Sequence, residues 1–120
     1  MGSNPAAPTI LKVMMMSQLS LLYTTFSTEE DALHISQKLL ESHLVACMNL
    51  LGPIRSFYFW EGQLTESREV AVLLKTIPEK LPEAMKKLQE LHAYDISVIL
   101  EIPISQANEI FQTWVKESVR

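Results

Sequence analysis

The sequence predicts one α+β domain with the element order β-α-β-β-α-β and a further helix at the C-terminus. Three observations predict it. Apolar residues recur at helical spacing in separated stretches, strand-like runs of Val, Leu, Ile and aromatic residues lie between them, and a Glu-Gly pair joins two such runs. With 120 residues, the chain has room for a single core. Residues 1–17 are expected to be a flexible leader and 18–120 the folded domain.

Taken in order, Leu19 to Tyr23 suits a buried strand, and the polar Ser27-Thr28 breaks it. Ser27 and Glu30 stand at capping-box spacing before a helix. At about 100° per residue, Ala32, Leu33, Ile35, Leu39 and Leu40 share one face, opposed by His34, Lys38 and Glu41. From Leu44 to Leu51 the chain is apolar on both sides. Beyond Gly52-Pro53, the run Ile54–Trp60 is strongly strand-forming. Glu61-Gly62-Gln63 offers a hairpin turn, since glycine accepts positive φ. Glu69–Thr76 is the return strand. Pro78 and Pro82 bracket the entry to a second helix, with Leu81, Ala84, Leu88 and Leu91 on its inner side. Asp95–Ile104 is the expected fourth strand. Asn108 or Ser105 can cap a last helix that buries Ile110, Phe111, Trp114 and Val115.

Two split βαβ units with right-handed crossovers make a ferredoxin-like sheet with its helices on one face. The Phe57–Trp60 run is aromatic on both sides, leaving a sticky surface that another copy of the chain is expected to cover.

Composition narrows the function. Hydrophobic residues make up 48% and charged residues 20%, which is globular material. The net charge is −4 and Lys86-Lys87 is an isolated basic pair, so nucleic acid is not an expected partner. No apolar run approaches a membrane span, and the N-terminus lacks a cationic secretory start, so no membrane partner is expected. Cys47 stands alone, which rules out an intrachain disulfide and suits a cytoplasmic protein.

Few residues offer chemistry. His34 and His43 are nine positions apart, on opposite sides of their helix, and cannot share an ion. Cys47 is either a small buried hydrophobe or a ligand. His92 falls where a helix runs into a strand, with Tyr94 two positions on. Lys75 and Glu101 each interrupt an apolar strand and need a partner: each other, a neighbouring subunit or a ligand. The loop Thr24–Thr28 has neither Gly nor Arg, so it builds no phosphate cradle. No Ser-His-Asp spacing is legible, and the strand from Glu69 to Lys75 lacks the aromatics of an RNA-recognition surface. The residues describe a binding protein rather than an enzyme.

Tyr23-Thr24-Thr25-Phe26, Leu44-Val45-Ala46-Cys47-Met48-Asn49-Leu50, Ser56-x-Tyr58-x-Trp60-Glu61-Gly62, Leu74-Lys75-Thr76, His92-x-Tyr94 and a late Trp114 follow one another in an order that resembles the CutA divalent-cation tolerance family. The resemblance runs from about Leu19 to Val119. It implies a ferredoxin-like homotrimer whose long hairpin strands pair between subunits, and a link to copper or other divalent cations. Animal members are linked instead to acetylcholinesterase anchoring. Carried onto this chain, the implied metal donors are His92, Glu101 and Cys47, with Lys75, Tyr94 and Trp60 in a ligand cleft between subunits. Some positions depart from the family pattern. Ala93 replaces a usual proline, and Asp95-Ile96-Ser97 replaces Glu-Val-Pro. Tyr23 and Leu91 stand where copper-associated bacterial members offer a cysteine and a second histidine. Fewer soft donors imply weaker copper binding, and binding through His92 should fade below about pH 6. The alternative is a trimeric signalling or scaffold module that binds a small anion through Lys75, or a protein partner.

Overall fold

The computed structural model describes residues 19–92 and 96–120. Strand β1, Leu19–Phe26, leads through a short bend into helix α1, Glu29–Glu41. Thr28 is the N-cap, and its hydroxyl accepts a hydrogen bond from the Asp31 amide at 3.0 Å. The capping pair is thus Thr28 and Asp31, one residue later than Ser27 and Glu30. The acidic first turn, Glu29, Glu30 and Asp31, complements the helix dipole. Ala32, Ile35 and Leu39 are buried as expected, whereas Leu33 stays exposed at the margin of the apolar face.

The two segments either side of Gly52-Pro53 are one strand. Strand β2 runs from Cys47 to Trp60 and pairs with β3, Gln63–Thr76, along its whole length. A bulge between Leu50 and Gly52 absorbs the irregularity that the Gly-Pro pair signals, with Gly52 at φ 99°. Leu44 and Val45 precede β2 and are buried in the core. Glu61 and Gly62 make a two-residue turn with φ 52° and 80°, between the paired Trp60 and Gln63. A 3₁₀ turn, Pro78–Lys80, then starts helix α2, Leu81–Leu91, which buries Leu81, Ala84 and Leu88.

The fourth strand is shorter than the sequence pattern predicts. Strand β4 spans Ile99–Ile104, and residues 96–98 approach it without pairing. Helix α3, Glu109–Ser118, follows Asn108 at its N-cap position, with no side-chain capping bond. Within α3 only Val115 is buried. Phe111 is half-buried, while Ile110 and Trp114 are 84% and 47% exposed, so the face predicted to be internal is largely open in one chain.

The sheet order is β2-β3-β1-β4, with every neighbouring pair antiparallel. Since directly paired residues share a face, the register sorts the side chains. Leu22, Thr24 and Phe26 of β1, Val72 and Leu74 of β3, and Met48 and Leu50 of β2 point towards α1 and α2. All of these except Thr24 pack with Ile35, Leu39, Ala84 and Leu88 in the main core. The opposite face carries Leu21, Tyr23, Leu73, Leu100 and Ile102. Helix α3 covers only one end of that face, where Leu19, Ile77, Val115 and Val119 form a second cluster.

Candidate functional site

His92 caps the C-terminus of α2, its amide bonded to the Leu88 carbonyl at 2.9 Å. Its ring stacks on Phe26 at 4.7 Å between centroids, with 6° between planes, and Nε2 lies 3.2 Å from Thr24 Oγ1. Burial against Phe26 lowers the imidazole pKa from 6.5. The Thr25 backbone hydrogen bond and the carboxylates of Asp31 and Glu69 oppose that shift without reversing it. The ring is therefore neutral at pH 7, the form in which histidine can ligate a metal.

Glu101 lies on the same, helix-bearing side of the sheet, opposite Leu22, and accepts a 3.1 Å hydrogen bond from Ser20 Oγ. Ser20 and Thr24, the anchors of Glu101 and His92, are four residues apart on β1, about 13 Å along the strand. Cys47 sits on the opposite face, paired with Lys75. The three expected metal donors are thus distributed over both faces of the sheet. Among the described residues, no group of three His, Cys, Asp or Glu side chains converges on a point that could hold an ion.

Lys75 and Glu101 also lie on opposite faces and do not pair within the chain. Lys75 is half-buried with Nζ 5.4 Å from the Phe111 ring centroid, a cation–π contact. Glu101 is exposed on the edge strand and needs no buried counter-charge. Trp60 stands at the hairpin tip, thirteen residues along β2 from Cys47 and roughly 40 Å away. Tyr94 lies outside the described residues. Within one chain, Lys75 and Trp60 of the expected cleft are therefore not brought together.

Sequence reasoning missed the surroundings of His92. Glu69 accepts a 2.6 Å hydrogen bond from Thr25 Oγ1 and, with Asp31, places negative charge near the imidazole. The signal was legible in one respect: Glu69 opens the apolar run Val70–Leu74, as Lys75 closes it. Only the sheet register brings that carboxylate beside the end of β1.

The four-stranded antiparallel sheet, with α1 and α2 on one face and an over-long hairpin, defines a ferredoxin-like α+β protein. The CutA1 divalent ion tolerance protein family matches residues 20–118. The chain belongs to that family. It is 39% identical over 99 residues to a divalent-cation tolerance protein CutA of Thermotoga maritima, covering 82% of this chain and 97% of the relative. A CutA homolog of Xenopus laevis is 33% identical over 84% of this chain and 67% of its own length. Among solved structures, divalent ion tolerance protein CutA1 from Ehrlichia chaffeensis superposes with a TM-score of 0.82 at 42% identity, covering 86% of this chain and 96% of the other. The family, the Thermotoga relative and the Ehrlichia structure are named for divalent-ion or divalent-cation tolerance rather than for a reaction.

Proposed function

We propose that the protein is a cytoplasmic homotrimer that binds divalent cations, copper foremost, and acts in the response to metal ions without catalysing a reaction. Its family relationship supports the cation, since the family and its bacterial and archaeal relatives carry divalent-cation tolerance in their names. One structural observation carries the assembly. The outer part of the β2–β3 hairpin, beyond the reach of β1, exposes Phe57, Phe59, Trp60 and Leu64 at 59%, 73%, 52% and 69%. A two-stranded ribbon with apolar side chains on both faces is marginal in water and is stabilised when a neighbour covers it.

His92 supplies a neutral imidazole, Glu101 an exposed carboxylate and Cys47 a half-buried thiol. Because these donors are apart in one chain, the cation is held where donors of different subunits meet. The ligand set is mixed and selects weakly among divalent ions. The cytoplasmic assignment rests on the single cysteine. A CutA structure from Archaeoglobus fulgidus, 35% identical, is described as periplasmic, so cell fractionation tests this part directly.

A calorimetric Cu²⁺ titration, with sedimentation of the same sample, tests the whole reading. The expected result is a sedimenting trimer with saturable binding at defined stoichiometry, abolished in His92→Ala while the trimer persists. Weak, non-stoichiometric heat unchanged in His92→Ala would overturn the cation site. An anion whose binding depends on Lys75, with copper irrelevant, would favour the scaffold alternative.

A further inference from the structure

The outer ribbon joins the body of the molecule at one level of the sheet. Strand β1 ends at Phe26, opposite Val70 of β3, and Val70 in turn faces Pro53 of β2. One row inward lie Thr25, Ala71 and Gly52, and Gly52 borders the β2 bulge with its φ of 99°. One row outward, Ile54 pairs with Glu69 and β1 has no member. Glu69 is thus the ribbon residue next to the body, and it reaches back. Its carboxylate accepts a 2.6 Å hydrogen bond from the Thr25 hydroxyl. Further out, Arg55 bonds to Glu66, Tyr58 to Ser67 and Thr65 to the Gln63 carbonyl, all within the ribbon. Thr25 is buried and Glu69 half-buried, so water screens their charge-assisted bond less than an exposed one.

A two-stranded ribbon twists more freely than a wider sheet, and a bulge bends the strand that carries it. The direction of the ribbon beyond Phe26 is therefore decided where the bulge and the Thr25–Glu69 bond meet. We infer that these two features form a clamp that fixes the angle at which the ribbon leaves the sheet, and that this angle closes the assembly at a defined number of copies. The inference rests on the proposed assembly through the outer hairpin. In a cyclic assembly, each copy offers its ribbon and receives another's at a different patch. Such a contact makes a ring only when the rotation it imposes closes, and otherwise it makes open chains. The exit angle of the ribbon sets that rotation. Gly52 acts through its backbone alone, because a Cβ there would meet nothing within 4 Å. Its positive φ, rather than close packing, is what a substitution would disturb.

Two nitroxide labels measure the angle directly, at Gln37→Cys on α1 and Gln63→Cys at the ribbon end, in a Cys47→Ser background. Both glutamines are exposed. Labelled chain is diluted into unlabelled chain, so that each distance belongs to one copy, and every sample is also sedimented. The parent should give one narrow distance and one sedimenting trimer. Thr25→Val keeps the side-chain shape, removes the donor and should broaden the distance distribution. It should also weaken the trimer about tenfold or spread it into several species, the loss expected for one charge-assisted bond. Gly52→Ala should shift the distance, and Thr25→Ser, which keeps the hydroxyl, should match the parent in both readings. Thr28→Ala lowers folding stability elsewhere and should change neither. Should Thr25→Val fail to fold, Glu69→Gln, which keeps a weaker acceptor, gives the same comparison. A narrow, unshifted distance in Thr25→Val and Glu69→Gln would overturn the inference, and so would a broadened distance with the trimer intact. A monomeric parent with a narrow distance that Thr25→Val broadens would refute the assembly reading while upholding the clamp.

Discussion

The inner and outer parts of the β2–β3 hairpin are built from the same two strands and have opposite fates. Along the inner part, β3 is flanked by β1 and covered by α1 and α2, and Val72, Leu74 and Thr76 are fully buried. Along the outer part, the same strands pair with each other alone, and Phe57, Phe59, Trp60 and Leu64 stand in solvent. Apolar content does not separate the two parts; coverage does. The chain covers its inner hairpin by itself and leaves the outer one bare, which is the ground of the proposed assembly. Stability and assembly should therefore respond to different substitutions.

The largest expected effect is on the inner part. Leu74→Ala opens a cavity against Leu22, Leu39 and Leu88 in the main core and should cost about 2–5 kcal/mol of folding stability, read from the urea midpoint. Phe59→Lys places a charge on the outer ribbon. It should weaken self-association by at least about tenfold in sedimentation while the far-ultraviolet spectrum is kept. Should Phe59→Lys instead unfold the chain, the outer ribbon belongs to the folding unit and the contrast collapses.

Smaller effects sharpen the contrast. Thr28→Ala removes the α1 cap and should cost about 1 kcal/mol wherever the assembly equilibrium stands. His92 makes the inner part sensitive to pH. Burial lowers its pKa in the folded chain below the unfolded value of 6.5, so the unfolded chain takes up the proton first. The stabilisation is complete above pH 6.5 and is lost as pH falls through the lower folded value. His92→Gln should flatten that part of a midpoint-against-pH curve, and an unchanged curve would show that the ring is not desolvated. For the same reason, cation binding through a neutral His92 should persist to lower pH than an unperturbed histidine allows. The smallest effect belongs to Arg55→Ala. Its ion pair with Glu66 is on the open ribbon, the two side chains 63% and 36% exposed, and such pairs contribute about 0–1 kcal/mol before screening.

Local chemistry made much of this protein legible. Positive φ at Gly62 follows from glycine's freedom, whereas φ 52° at Glu61 is imposed by the two-residue turn; the buried stripe of α2 follows from Leu81, Ala84 and Leu88 at helical spacing. Capping was misplaced by one residue because Ser27 and Thr28 are both competent caps, and only the backbone path out of β1 chooses between them. The expected burial of Ile110 and Trp114 failed for a related reason. Helical periodicity identifies an apolar face, but what lies against it is a property of the packed molecule.

The candidate site divides in the same way. His92 at a helix-to-strand junction and the charges Lys75 and Glu101 in apolar strands were visible in the sequence, because their residue types contrast with their neighbours. Their separation was not visible. A strand sends successive side chains to opposite faces, so a shift of one position in register would exchange the faces of Cys47 and Met48, or of Lys75 and Leu74. The placing of Tyr58, Trp60 and Glu69 on one face of the ribbon depends on the same register. By itself the sequence determined the element order, the turn, the family and the identity of the reactive side chains, because these are set by local conformational preference and residue chemistry. Only the tertiary structure decided which side chains meet, because strand pairing joins residues far apart in sequence and assigns each one its face.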